Sequence, residues 1–415
     1  ALLAGRYRVA WEVTDIDGKV RESGAEDLDL AAGASGTRRI VFKTRTPGWY
    51  GVAVRLQDAQ GRTILRHDTS YVSLAEDTRK AGYESPFYTW TQLRGHGSDR
   101  ADFERTMDHA RRLGIRKAQP GKFSEADAAP WGVTLSPLPF IGFSNKPTEA
   151  ERIADYEKAI TNLMARFPHA TAATIFHESG NCRPRNQPPD PAQDAEEIRK
   201  ATELCRVWRR LAPQVKLVLG KGSLDKVAQI LRNKFPRDLI DAMGEEGAGG
   251  VRPPEDAVGE VFQEYRDLAD QYGYTDLPVT PCYEWKSRPA RNFDSHRLLA
   301  AYFVRDALIA LAWGAEQVTL EGDYEPDGSY FSTSWGAGAF SHLPYGYPYP
   351  GAAALATLTR ALDQVKYSRV IPTGSETVYA VEYGRAAGGF VTALWTTRGT
   401  VKAEVTASGR KVVQT

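Results

Sequence analysis

Ala170-Thr-Ala-Ala-Thr-Ile-Phe176 runs directly into His177-Glu178-Ser179-Gly180-Asn181, an apolar stretch of strand length that stops at a carboxylate. Leu277-Pro-Val-Thr-Pro-Cys-Tyr283 leads in the same way into Glu284-Trp285-Lys286. Short apolar runs without in–out alternation are what strands buried on both faces of a parallel sheet look like. Parallel neighbours need a long crossover, so each such run predicts a helix before the next.

That rhythm holds outward in both directions from about residue 83. Strands are expected at 86–90, 115–119, 132–135, 170–176, 215–219, 238–243, 277–283 and 316–321. Between and after them, helices are expected over 99–113, 148–167, 193–211, 224–234, 257–272, 295–313 and 351–366. In the first helix Phe103, Met107 and Ala110 fall on one face, and Gly114 stands where a terminating glycine belongs. Strand–helix units in this number predict an α/β fold, a (β/α)8 TIM barrel, whose chemistry sits at the carboxyl ends of the strands. Glu178 then ends strand 4 and Glu284 ends strand 7.

The two ends of the chain read differently. Residues 7–13, 39–43, 50–56 and 63–67 alternate apolar with polar side chains between Asp-Gly, Pro-Gly and Gln-Gly turns. Half-buried antiparallel strands give that pattern, and an N-terminal immunoglobulin-like β-sandwich is expected over 1–78. Asp15-Ile-Asp-Gly18 and Asp58-Ala-Gln-Gly61 read as hairpin turns rather than calcium loops, because the liganding series is incomplete. The barrel occupies 79–367. A C-terminal β segment over 368–415 alternates again at 377–383, 389–395 and 401–405, too few strands to close a sandwich alone. The segment reads as truncated or completed by other strands, and a start at Ala1 without Met reads as a processed or trimmed chain.

Composition narrows the function. Of 415 residues, 42% are apolar and 10% aromatic, enough for a large core and a smaller one, and 53 Lys and Arg balance 52 Asp and Glu. The balance gives no reason to expect nucleic acid or a lipid surface as partner, and no stretch is long and apolar enough to span a bilayer. Cys182, Cys205 and Cys282 are too few and too irregularly spaced for a zinc site or a disulfide framework. Dinucleotide, phosphate-loop and nucleophile-elbow motifs are missing, and His177-Glu178 does not continue into a zinc helix because residue 181 is Asn. No metal and no cofactor are expected.

Two carboxylates at one barrel mouth suit glycoside cleavage, in which one acid protonates the leaving oxygen while one carboxylate attacks the anomeric carbon. Sugar binding asks for aromatic faces and polar forks. Trp90 and His96 after strand 1, His177 and Asn181 after strand 4, Trp285 after strand 7 and Tyr324 after strand 8 are candidates. Trp335 lies in the aromatic connection 324–350, read as a substrate wall, with packing against the N-terminal sheet as the alternative. Glu245, Glu246, Glu321 and Asp323 follow strands 6 and 8 and compete for the acid roles.

This layout, with glutamates closing strands 4 and 7, resembles the clan A retaining glycoside hydrolases, family 39 most of all. The resemblance implies Glu178 as general acid/base and Glu284 as nucleophile. It departs from the clan at His177, where the clan usually has Asn, and at strand 2, where Arg116 falls near the start instead of the end. The expected partner is a carbohydrate, a polysaccharide or glycan, and the expected location is secreted, periplasmic or cell-surface. An inverting hydrolase using a strand-6 or strand-8 carboxylate, and a non-catalytic carbohydrate-binding protein on a degenerate barrel, remain as alternatives.

Overall fold

The computed structural model describes residues 4–77, 85–89, 100–118, 123–135, 140–176, 190–220, 224–244, 252–279, 282–285, 296–320, 324–325, 341–342 and 347–404. The chain forms two compact units. One comprises Ala1–Thr78, Pro289–Ala301 and Gly322–Thr357, the other Arg79–Arg288, Tyr302–Glu321 and Leu358–Thr415.

In the first unit, β1 (Gly5–Asp15), β2 (Val20–Leu30), β3 (Gly48–Gln57) and β4 (Thr63–Ser73) form one antiparallel sheet in the order β2-β1-β3-β4. Two aspartates set its outer hairpins. Asp15 Oδ1 accepts the backbone N–H groups of Asp17 and Lys19 at 3.0 and 2.9 Å, and Asp58 Oδ1 accepts those of Gln60 and Arg62 at 3.0 and 2.8 Å. Gly18 and Gly61 follow at φ 76° and 77°, conformations that a side chain would resist. Both aspartates are thus used as turn formers.

One face of the sheet buries Val13, Tyr50 and Val52, with Phe42, Val54 and Tyr71 packed against them. Phe42 comes from 39–43, expected as a strand; that segment lies in the irregular connection between β2 and β3, and its ring stacks on Tyr71 at 5.2 Å. The strand in its place is β2, whose acidic Glu26, Asp27 and Asp29 disguise it, as charges on an edge strand do.

The second unit alternates strand and helix. The strands are β5 (Phe87–Thr89), β6 (Lys117–Ala118), β7 (Thr134–Leu135), β8 (Ala172–Thr174), β9 (Lys216–Val218), β10 (Cys282–Trp285) and β11 (Gln317–Leu320). Among the described residues the helices are α1 (Arg100–Leu113), α2 (Glu125–Ala128), α3 (Glu149–Arg166), α4 (Pro191–Leu211), α5 (Leu224–Arg232), α6 (Pro254–Gln271), α7 (His296–Ala312) and α8 (Pro350–Ala361). A five-stranded parallel sheet runs β10-β11-β5-β6-β7, and β8 pairs in parallel with β9. Single parallel bridges join Phe140 to Thr174, Val218 to Ala242 and Met243 to Val279.

Two strand positions differ from expectation. Within 238–243 only residues 242 and 243 bridge, because Arg237–Leu239 winds into a 3-10 turn. The strand expected at 277–283 ladders later, from Cys282 through Trp285, beyond prolines that have no N–H to donate.

The core of this unit gathers around Trp208, with Ile160, Ile175, Phe176, Leu217, Leu219 and Phe235 all buried. The helices that cover it start at built caps. Thr148 accepts the Glu151 N–H at 3.3 Å while the Glu151 carboxylate returns to the Thr148 N–H at 3.2 Å, and Asp190 caps α4 ahead of Pro191. Between α3 and α4 the buried Arg152 guanidinium grips the Glu203 carboxylate through two hydrogen bonds of 2.8 and 2.9 Å.

The C-terminal sheet orders β15 (Val365–Val370), β16 (Val378–Arg385) and β17 (Phe390–Thr396) antiparallel. Its first strand comes from the end of the helix expected over 351–366. That helix stops at Ala361, Gln364 turns the chain at φ 53°, and the sheet begins before residue 368. No strand forms over 401–404. No helix among the described residues is long and apolar enough to cross a membrane.

Candidate active site

Parallel pairing puts the carboxyl ends of β10, β11, β5, β6 and β7 along one edge of their sheet. Glu284 pairs with Thr319 and Trp285 with Leu320, so Glu284 sits one residue before the end of its strand, inside the ladder. On the next strand Thr319 pairs with Tyr88, and both Thr319 and Tyr88 are buried. A fully buried threonine beside the strand that carries Glu284 went unnoticed in sequence, where Gln317-Val-Thr-Leu320 reads simply as an apolar run.

On the β8 side the ladder continues past its last strand residue, since the Ile175 N–H donates to Val218 O at 3.0 Å. Phe176 behind it is 1% exposed, and it is the last described residue before His177-Glu178. The neighbouring strand ends are crowded. Gly220 adopts φ 90° and faces the Phe176 carbonyl, and a Cβ on Gly244 would fall 1.7 Å from the Gly220 carbonyl oxygen. Only glycine fits where two backbones approach so closely at the carboxyl ends.

The remaining expected residues divide plainly. Glu178, His177, Asn181, Trp90, His96 and Trp335 lie outside the described residues, as do Glu245, Glu246, Glu321, Asp323 and Cys182. Glu284, Trp285 and Tyr324 are placed by backbone register alone. Arg116 immediately precedes β6, its carbonyl accepting the Thr134 N–H at 2.8 Å, which keeps it at the amino end of strand 2. Cys205 is buried on α4 and burial pushes its thiol far up, so it is not a nucleophile. Among the described residues no group of three His, Cys, Asp or Glu side chains is placed to hold a metal ion.

The connection after β11 contains a small sheet of β12 (Tyr324–Glu325), β13 (Ser341–His342) and β14 (Tyr347–Pro348). It belongs to the unit of the N-terminal sheet. Trp49 Nε1 donates to the Pro348 carbonyl at 2.8 Å, and the Ser70 hydroxyl donates to the same oxygen. Within 324–350 these bonds tie Pro348 of β14 to the N-terminal sheet, while most of the connection, Trp335 included, lies outside the described residues.

No protein-family model matches the chain, and no curated protein matches it by sequence. Solved structures do. Bacteroides uniformis beta-glucuronidase 2 is similar over 97% of this chain and 55% of its own, at 10% identity and a TM-score of 0.46. A putative beta-galactosidase from Bacteroides fragilis is similar over 95% of this chain and 69% of its own, at 10% identity and a TM-score of 0.42. A family 39 glycoside hydrolase from the gut symbiont Bacteroides cellulosilyticus WH2 is similar over 95% of this chain and 87% of its own, with a TM-score of 0.63 at 13% identity. At that identity the likeness is one of fold, and the layout shared is that of a family 39 glycoside hydrolase.

Proposed function

We propose that this protein is a retaining glycoside hydrolase acting on a polysaccharide or glycan, without a cofactor, at the cell surface, in the periplasm or outside the cell. The observation that carries the reading is Glu284 in ladder with β11 at the carboxyl end of a parallel sheet, in a chain that shares its layout with a family 39 glycoside hydrolase. Fold alone does not assign chemistry, so the weight rests on the place of Glu284 in the strand register. The two parallel sheets and the three single bridges are read as one (β/α)8 barrel with strands in chain order, flanked by an immunoglobulin-like domain.

In this reading Glu178 is the general acid/base. It follows the buried Ile175 and Phe176 in sequence, and the role requires that it hold its proton until the leaving oxygen takes it. Glu284 attacks the anomeric carbon as the C–O bond to the leaving group breaks, and Glu178 gives its proton to the departing oxygen. Water then gives a proton to Glu178 and its hydroxyl to the anomeric carbon, releasing Glu284. The geometry requires carboxyl groups about 5–5.5 Å apart.

The test is the anomeric configuration of the first product, followed by proton NMR during hydrolysis. Retention supports the assignment. Inversion moves the chemistry to the acids after strands 6 and 8, and tight glycan binding without turnover favours the binding protein.

A further inference from the structure

The five-stranded parallel sheet has two unlike faces. Paired residues of a parallel ladder stand on one face, and neighbours along a strand stand on opposite faces. Register therefore puts Glu284, Thr319, Tyr88, Lys117 and Thr134 in one row across β10, β11, β5, β6 and β7. The other face carries Val318, Phe87, Ala118 and Leu135, all fully buried and all apolar. The row that holds Glu284 is polar, and beside Glu284 it is dry. Thr319 is 0% exposed and Tyr88 1%, whereas Lys117 is half-buried and Thr134 exposed. The Gln317 amide, two residues back on the same strand, donates to the Thr319 hydroxyl at 3.4 Å, and the Tyr88 hydroxyl lies out of water.

Packing alone asks for neither hydroxyl. Val has the shape of Thr and Phe the ring of Tyr, and both fill a buried row without the penalty of taking a hydroxyl out of water. Neighbouring strands stand about 4.8 Å apart, so Thr319 is one strand and Tyr88 two strands from Glu284. We propose that Thr319 and Tyr88 are positioning residues for Glu284, their hydroxyls holding its carboxylate ionised and aligned for attack without themselves touching substrate. Hydrogen bonds to the charged form of a carboxyl favour that form, and they are stronger in a dry row than in water. The inference rests on the glycosidase reading, with Glu284 as nucleophile.

The experiment is steady-state kinetics of the whole chain on 4-nitrophenyl and 2,4-dinitrophenyl glycosides, with Thr319→Val and Tyr88→Phe, which each remove an oxygen and keep the packing. Each variant is expected to lose about tenfold in kcat, to a similar extent on both leaving groups, with KM within about twofold of wild type. Thr319→Ser, which keeps the hydroxyl, is expected to restore kcat to within about threefold. All are read on protein shown to be folded by far-UV circular dichroism, and if one does not fold the other decides. Val318→Ala serves as control, since it weakens the same strand from the apolar face; an equal fall in kcat there would make the effect one of general destabilisation and overturn the inference. Unchanged kcat in a folded Thr319→Val or Tyr88→Phe, where wild type is active and Glu284→Gln is not, overturns the inference and leaves the glycosidase reading standing. A Glu284→Gln variant that keeps its turnover moves the nucleophile elsewhere and overturns the inference too. A wild-type protein inert towards every glycoside overturns the glycosidase reading itself, and this inference with it.

Discussion

Gly244 stands so close to Gly220 that a Cβ built on it would lie 1.7 Å from the Gly220 carbonyl oxygen and 2.8 Å from its carbonyl carbon. The obstacle is backbone, held in place by the Leu219 N–H donating to Ala242 O at 2.8 Å, so no side chain can swing aside to relieve it. Gly244→Ala is expected to lower the free energy of unfolding by about 3 kcal/mol, as overpacking of a rigid site does. Gly273 makes the comparison: it adopts φ 83° with nothing within 4 Å of a built Cβ. Gly273→Ala meets conformational strain alone and is expected to cost about 1 kcal/mol. Urea denaturation of both variants decides it, and equal losses would contradict the backbone clash.

Within the second unit, the C-terminal sheet is fastened to α6 and α7 through the face that carries Tyr383 and Trp395. Tyr383 donates its hydroxyl to Leu308 O in α7 at 2.6 Å, and Trp395 Nε1 donates to the Glu255 carboxylate in the first turn of α6 at 2.7 Å. Tyr383→Phe leaves a buried carbonyl short of a donor and is expected to cost about 1–2 kcal/mol. Trp395→Phe removes a bond to a charged acceptor whose side chain is 2% exposed, and is expected to cost about 2 kcal/mol. Thermal denaturation reads both. No change in either would mean that the sheet is held by apolar packing alone.

How much of this was legible in the sequence depended on which force shaped each segment. Buried parallel strands announce themselves by composition, so β8, β9 and β11 fall inside the runs expected for them. Amphipathic helices with caps are equally plain, and α3 is capped by Thr148 as its Thr-x-x-Glu box implies. Edge strands are hidden, because β2 has to repel other edges and does so with the charges that make it read as a loop. β15 was hidden differently: its Val365-Lys-Tyr367 continues the apolar spacing of α8, and only the left-handed Gln364 separates the two. The anchoring of Pro348 by Trp49, across 299 residues of sequence, left no local trace at all. Of the two glutamates, Glu284 is placed at its strand end by register, and Glu178 lies outside the described residues.

The two proposed catalytic glutamates predict different losses. Glu178→Gln removes proton donation, so kcat on glycosides with poor leaving groups is expected to fall about a thousandfold while 2,4-dinitrophenyl glycosides are nearly spared. Glu284→Gln removes the attacking carboxylate and is expected to lower turnover of both substrates by a similar, large factor. Steady-state kinetics on the two substrate types separates the roles, and an equal loss on both substrates for Glu178→Gln would argue against its being the acid.

Acid stability offers a test that needs no substrate. The Asp127 carboxyl accepts from the Ser124 hydroxyl at 2.7 Å and from the Ser124 N–H at 2.9 Å, and it pairs with Arg100 of α1. These bonds, the Ser124 hydroxyl foremost, hold its pKa at about 2. A carboxylate whose pKa is depressed in the folded state binds its proton more weakly there than in the unfolded chain. Its contribution to stability is therefore complete above the unfolded value, near ~4, and is lost as pH falls from there through about 2. Asp127→Asn removes that titration and leaves the other depressed carboxyls, Asp58, Asp108 and Glu203 among them, common to both proteins. The difference in unfolding free energy between wild type and variant is thus expected to be constant near neutral pH and to shrink on acidification below about pH 4. Guanidinium titrations at a series of pH values measure it. A difference that stays the same down to the acid limit would mean that Asp127 acts through its shape and hydrogen bonds, and not through its charge.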